Sequence, residues 1–330
     1  MLLSSLCVRV VVVLLSMLAV LATPTRVAAQ SGRLYKIGIV LQGGAYYLAI
    51  DGLRDGLREL GLEEGKHVVF IVRDGKGDLK AVEAAAKVLE QDKVDLIYAI
   101  TTSVAIATKR ATNSVPIVFY AGTDPVALGL VESVRKPGGR LTGTYGWVTD
   151  LTAKRLELLK EMLPRLRRVV TFYNPDNPSS QQSIKIARST APRLKLELIE
   201  HRVASVEALR SALHALRPGD ADAFCYVSDA MVTSQADAIV DVAMGKKLPT
   251  MFQARDAVVR GGLASYGVSY YEFGRLSARH VQRILQGAEP GAIPVEQLEK
   301  FRFVVNLKTA RALGLVIPQA VLTRADEVIE

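Results

Sequence analysis

The strongest constraint on how this chain can fold is that, from Lys36 onward, strand-like segments followed by helical ones fill it in two successive sets. Lys36-Ile37-Gly38-Ile39-Val40-Leu41 is apolar without alternation, the pattern of a strand buried on both faces of a parallel sheet. The loop Gln42–Tyr47 follows, then a helix through Leu53, Leu57 and Leu60 that Gly61 stops. His67–Val72 reads as the second strand, Asp78 caps an Ala-rich helix to Leu89, and Leu96–Ile100 is the third strand. Thr101-Thr102-Ser103 opens the next helix and Ile117–Tyr120 is the fourth strand. Strands spaced by helices of this length predict an α/β fold with a doubly wound parallel sheet.

A second set begins after the Pro137–Gly139 turn and the strand Leu141–Tyr145. A helix Leu151–Leu163 leads to the strand Arg168–Tyr173, which ends in Asn174-Pro175-Asp176-Asn177-Pro178. The strands Glu197–Val203, Ala223–Val227 and Leu248–Phe252 follow, with helices between them. Met251–Gly267 closes the set with a strand end, a helical turn and a strand finishing at Ser265-Tyr266-Gly267. The long helix after it, capped by Ser269, carries Phe273, Leu276, His280, Val281 and Ile284 at three- and four-residue steps. That helix needs an uncovered sheet face, which the first lobe offers. The expected organisation is therefore two doubly wound parallel-sheet lobes joined by a hinge: 32–145 with about 268–301, and 146–267 with about 302–330.

Leu2–Ala22 is a mainly apolar run containing Arg9, followed by Val27-Ala28-Ala29. Small residues at that spacing suit signal peptidase, so 1–29 is expected to be a cleaved leader, with an uncleaved membrane anchor as the other reading. Removing Arg9 and Arg26 from the formal charge of +9 leaves +7, spread along the chain. Without a basic stripe interleaved with aromatics, nucleic acid is not an expected partner. Only Cys225 follows the leader, so no disulfide can form within the mature chain.

Chemistry finds little support. No Ser-His-Asp motif is recognisable, and His67, His201, His214 and His280 are read as lying inside strands or helices without metal-ligand spacing. Gln42-Gly43-Gly44 lacks the spacing of a dinucleotide loop. No enzyme activity, metal or cofactor is expected. Aromatic residues, by contrast, gather at strand exits, where open parallel sheets bind ligands: Tyr46, Tyr47, Tyr120, Tyr145, Trp147, Tyr173, Tyr226, Phe252 and Tyr266. Tyr120, Tyr145 and Tyr226 are assigned to the core. Thr101, Thr102 and Ser103 offer hydroxyls and free N–H groups to a carboxylate, or simply cap their helix. Asp124 and Asp229 would receive an ammonium or cap the next helix, and Asn174 and Gln253 flank them at strand exits.

Several segments carry a resemblance. Gly52–Gly61, Val115–Phe119 with Asp124-Pro125-Val126, Lys154–Lys160, Asn174-Pro175, Gly261–Gly267, Val304–Ala310 and Ala325–Ile329 resemble the ABC-transporter substrate-binding protein family whose better-known members handle aromatic amino acids. The resemblance implies a type I periplasmic-binding-protein fold and a periplasmic receptor that captures a small molecule for membrane permease subunits, acting as a monomer. The alternative is the same fold as a sensor feeding a membrane signalling protein. The loop Gln42-Gly43-Gly44-Ala45-Tyr46-Tyr47 falls where the family lines its cleft and varies, which brings Gln42 into the site. Thr101-Thr102-Ser103 departs from the Gly-Thr-Pro type of many relatives. The first ligand candidate is an aromatic or branched amino acid, its body stacked between Tyr46 or Tyr47 and Trp147 or Tyr266, its carboxylate on Thr102 and Ser103.

Overall fold

The computed structural model describes residues 33–330, so the expected leader over 1–29 lies outside the described residues. Strands β1 (Tyr35–Leu41), β2 (Val68–Asp74), β3 (Leu96–Ile100), β4 (Ile117–Ala121) and β5 (Leu141–Tyr145) alternate with helices α1 (Tyr47–Glu59), α2 (Leu79–Gln91) and α3 (Thr102–Ala111). These strands pair in parallel in the order β2-β1-β3-β4-β5. Ile37, Ile39 and Leu41 of β1 face the core beneath α1, whereas Val40 faces the opposite core with Val82, Leu89 and Val104. Both faces of the strand are thus covered, which is why its sequence does not alternate.

The second sheet repeats this order. Helix α4 (Leu151–Met162) leads into β6 (Arg168–Tyr173), α5 (Pro178–Thr190), β7 (Glu197–Arg202), α6 (Val206–Ala215) and β8 (Ala223–Cys225). Then come α7 (Ala230–Ser234), α8 (Ala236–Gly245), β9 (Thr250–Phe252), α9 (Arg255–Arg260) and β10 (Ala264–Val268). The order is β7-β6-β8-β9-β10, again parallel. The chain then returns to the first sheet, laying α10 (Tyr270–Leu285) against α1 and adding the short β11 (Glu296–Gln297) beside β5. It ends on the second sheet with β12 (Phe301–Asn306), antiparallel to β10, then α11 (Leu307–Ala312), α12 (Gln319–Leu322) and β13 (Glu327–Ile329). The sheets are therefore linked by three passages, after Tyr145, after Val268 and after Gln297.

Two details differ from the sequence reading. His67 lies in the turn before β2, where its Nδ1 accepts from the Glu63 N–H at 3.1 Å, and not inside a strand. On α10 the buried stripe includes Gly274, Ser277 and Ala278, while Leu276 and Ile284 are only half-buried. Small residues take the contact because α1 and α10 pack closely. A Cβ built on Gly52 would overlap the Tyr271 carbonyl, and one on Gly274 would overlap the Ala49 carbonyl. Backbones at this distance leave no room for a methyl group. Overpacking a site of this kind costs about 1–3 kcal/mol. Gly52→Ala and Gly274→Ala should therefore each lower the melting temperature by roughly 3–10 °C. Gly245→Ala, at a helical position with no atom within 4 Å of the added methyl, should leave it unchanged or slightly raised, as differential scanning calorimetry would show.

Candidate functional site

In both sheets the strand order reverses between the first and third strands of the set, at β1/β3 and at β6/β8. Ligands of doubly wound sheets bind beyond the carboxyl ends at such switch points. The segments leaving those four strands are Gln42–Tyr46, Thr101–Ser103, Asn174–Asn177 and Tyr226–Asp229, and they meet across the cleft between the two sheets. Tyr46, Thr101, Thr102, Ser103, Tyr120 and Gly122 come from the first sheet and wall a small chamber of about 30 Å³. Tyr226, Ser228, Asp229 and Gln253 face them from the second, and Val148 lies in the first linking passage.

The α3 end of the chamber is conformationally strained. Thr101 has φ 101°, a conformation that a β-branched residue adopts at a cost of about 1–3 kcal/mol. Its Oγ1 accepts from the Val104 N–H at 3.4 Å as the helix cap, and its own N–H donates to the Tyr120 carbonyl. The Thr102 hydroxyl oxygen accepts from the Gly122 N–H at 2.9 Å, and the Ser103 hydroxyl donates to Gln42 Oε1 at 3.4 Å. Gln42 in turn donates to the Gly77 carbonyl.

Opposite, Asp229 is buried. One carboxylate oxygen accepts from the Val232 N–H as the cap of α7; the other accepts from the Asn174 N–H at 2.9 Å, from Asn177 Nδ2 and from the Ser180 hydroxyl. Among the described residues no lysine or arginine forms an ion pair with it. The Tyr226 hydroxyl is bonded to both the N–H and the carbonyl of Asp229 and to Thr233. Tyr46 packs on Tyr270 with ring centroids 4.8 Å apart, and Tyr120 packs on Phe273 at 3.9 Å. Burial raises the Tyr46 phenol well above its ordinary range and pushes Tyr270 up to about 12, so both remain neutral donors. Gln253 donates to the Tyr270 hydroxyl, while its buried Oε1 has no hydrogen-bond partner.

Two larger spaces adjoin the chamber. A groove of about 1040 Å³ shares Ser103, Asn177 and Asp229 with it and includes Gln42 and Asn174. A cavity of about 310 Å³ shares Tyr226 and Gln253 and includes Tyr47. Tyr47 is 44% exposed and its hydroxyl donates to Asp74, and it does not line the chamber itself. Three of the sequence candidates lie outside all these walls. The Asp124 carboxylate accepts from the N–H groups of Val126 and Ala127 in a local turn. Trp147 packs edge-on against Tyr145, and Tyr266 turns to Phe301 and Phe303.

Sequence reasoning placed Tyr226 and Tyr120 in the core, where both are buried, and both also line the chamber; it missed Arg155 behind them. Arg155 is fully buried and its guanidinium carbon lies 5.5 Å from the centre of the Tyr226 ring. Its position on the same stripe of α4 as Thr152, Leu156, Leu159 and Met162 was the available signal, a charged residue amid an apolar face.

The lobes touch across the cleft. Thr123 donates to Gln182 at 2.6 Å, and Gly44 and Gly77 lie so near the second lobe that a Cβ would come within 2.9 Å of Ser234 Cα and 2.6 Å of Val206 respectively. A bacterial ABC domain solved in complex with L-Trp, from Streptococcus pneumonia, superposes with a TM-score of 0.80 at 26% identity, over 90% of this chain and all of that one. A ligand-free, open structure of a substrate-binding protein with adhesive properties from Clostridium difficile has the same identity and covers 90% of this chain and 99% of its own, but its TM-score is 0.59. A tyrosine-binding protein of Clostridioides difficile is 29% identical over 264 residues, 80% of this chain and 76% of that one. The model of the ABC transporter substrate binding protein family matches residues 36–329, nearly everything described in the two sheets and their links. With that span matched and the type I periplasmic-binding-protein fold in place, the chain belongs to the ABC transporter substrate-binding protein family.

Proposed function

We propose that this chain is the extracytoplasmic solute receptor of an ABC importer, exported to the periplasm by its leader and working as a monomer that delivers an amino acid, aromatic first, to permease subunits. The observation that carries this reading is the chamber itself, walled by both lobes at both switch points and lined by phenols, hydroxyls and one carboxylate. It contains no histidine, cysteine or lysine, so the reading assigns the ligand no chemistry. The ligand's carboxylate would meet Thr102 and Ser103 at the N-terminus of α3, where N–H groups and the helix dipole favour an anion. Its ammonium would approach Asp229, and its ring would lie among Tyr46, Tyr120 and Tyr226.

Space dictates how the ligand enters. At about 30 Å³ the chamber holds about one water molecule, far less than an amino acid. Because its walls belong to different lobes, hinge rotation at the linking passages opens it, and closure onto the ligand would give permease subunits a distinct face to recognise.

A thermal-shift screen of the mature chain against the common L-amino acids tests the reading. At a ligand concentration about a hundredfold above Kd, mass action adds about 2.7 kcal/mol, or roughly 5–10 °C. Aromatic amino acids should give the largest shifts, and a screen in which no amino acid moves the transition would sink the assignment. Ser103→Ala removes a hydroxyl worth about 1.5–3 kcal/mol against a charged group, so it should weaken amino-acid binding roughly 10- to 100-fold. Trp147, the chain's single tryptophan, lies in the first linking passage, and its emission should change when a ligand binds. Unchanged emission together with unchanged small-angle scattering on saturation would contradict lobe closure.

A further inference from the structure

Among the described residues Arg155 stands without a counter-ion. It is 0% exposed, and among the described residues no carboxylate lies within ion-pair distance. Nε donates to the Tyr266 carbonyl at 2.9 Å and Nη2 to the Val148 carbonyl at 3.2 Å, while Nη1 is buried with no acceptor. Burial of an unpaired charge costs far more than two carbonyl bonds return. A neutral donor would serve those carbonyls without that cost. The positive charge therefore needs an explanation beyond tying Val148 to Tyr266.

Its position supplies one. Arg155 lies one layer behind the chamber, touching two of its wall residues, Val148 and Tyr226. On the Val148 side, Gly122 comes close to both Val148 and Thr102: a Cβ on it would sit 3.6 Å from Val148 Cβ and 3.8 Å from Thr102 Oγ1. The N-terminus of α3 and the guanidinium thus flank the same part of the chamber. On the other side, the Tyr226 phenol spans from the guanidinium, which sits over its ring, to the backbone of Asp229, which its hydroxyl bonds. One buried cation against its ring and one buried anion beside its hydroxyl, neither ion-paired, thus flank a single wall side chain.

Resting on the amino-acid reading above, we propose that Arg155 is a specificity-determining residue: acting through the Val148 and Tyr226 wall, it makes the α3 end of the chamber the anion end. With Asp229 at the other end, the chamber selects and orients a zwitterion, carboxylate toward Thr102 and ammonium toward Asp229. Arg155 does not touch the ligand; it sets the sign of the field the ligand enters. A fully buried charge is screened less than a surface one, so such a field reaches the few ångströms to the chamber wall.

The test measures Kd by calorimetry on the mature chain for L-tyrosine, for L-tyrosinamide, which lacks the carboxylate, and for 3-(4-hydroxyphenyl)propionate, which keeps it but lacks the ammonium. Arg155→Met should weaken L-tyrosine and the propionate by about 10- to 100-fold and the amide by less than about 3-fold, a split that a merely structural tie would not produce. Arg155→Lys, which keeps the charge, should restore the discrimination. Equal losses for all three ligands, or no losses, would overturn the role of Arg155 while leaving the receptor reading intact. A wild type that binds L-tyrosinamide as tightly as L-tyrosine would overturn it without any variant. A wild type that binds none of the three would remove the amino-acid reading and this proposal together.

Discussion

The close approach of α1 and α10 is the contact on which the two-sheet architecture depends. Helix α10 follows β10 directly in sequence, yet packs against a helix more than 200 residues earlier, with Tyr271 bonded to Asp55 and Arg275 paired with Glu59. Those exposed polar pairs add little, since surface ion pairs are worth at most about 1 kcal/mol each. The glycines matter more, because Gly52, Gly56 and Gly274 let the backbones meet and bury the Phe273, Ala278 and Val281 side of the helix in the first core. Anchored there, the chain must pass between the sheets a second time at Val268–Tyr270 and a third time before β12. Three passages join the sheets, and they leave the carboxyl ends of β1, β3, β6 and β8 facing one another.

What collects at that meeting point is polar, buried and unevenly satisfied. Most buried polar groups in folded proteins find partners. Here the Gln253 amide oxygen and one Arg155 nitrogen have none, and Thr101 holds a backbone conformation that a glycine would take more readily. Each of these departures costs stability, and these three lie within or just behind one chamber, whereas other unpartnered buried atoms, such as the Tyr98 and Thr171 hydroxyls, are spread through both sheets. The aromatic content follows the same logic. Tyr46, Tyr120, Tyr226 and Tyr270 offer broad apolar faces with little rotamer entropy to lose, and each keeps a hydroxyl that must be bonded, which fixes how the rings stand.

The fold could be read in the sequence because its signals are local. Uninterrupted apolar runs such as Ile37–Leu41 and Leu96–Ile100, capped helices at Asp78 and Ser269 and the terminating Gly61 each report on a few neighbouring residues, and the parallel order follows from their alternation. The strand exits were legible for the same reason, which brought Tyr46, Thr101–Ser103, Asp229 and Gln253 to the chamber wall. Direction was not legible. Trp147 follows the end of β5, whereas Tyr266 lies inside β10 and not at its exit, and tertiary packing turns one toward Tyr145 and the other toward Phe303. Asp124 sits beyond β4 but its carboxylate is taken by its own turn. Arg155 lies mid-helix, far from any strand exit, and its place behind Tyr226 depends on how α4 packs on the second sheet.

Closure and charge are linked in this arrangement. With the lobes together, Asp229 and Arg155 are both removed from water, and neither has an ion-pair partner within the described residues. Opening the cleft rehydrates the Asp229 side, so an empty chamber carries a bias toward the open form. On the proposed amino-acid reading a zwitterion would offset both charges at once, its ammonium against Asp229 and its carboxylate in the field of Arg155, whereas a singly charged ligand would offset only one. A ligand shifts such an equilibrium only by its differential affinity for the two forms, and reversing a 99:1 population takes about 5.5 kcal/mol. An ammonium contact with Asp229 and a carboxylate contact with the N-terminus of α3, made together only when the lobes meet, would be of that order, whereas ring packing that begins in the open lobe would not be differential. On this reading the aromatic walls hold the ligand and the charged groups decide whether the lobes close on it.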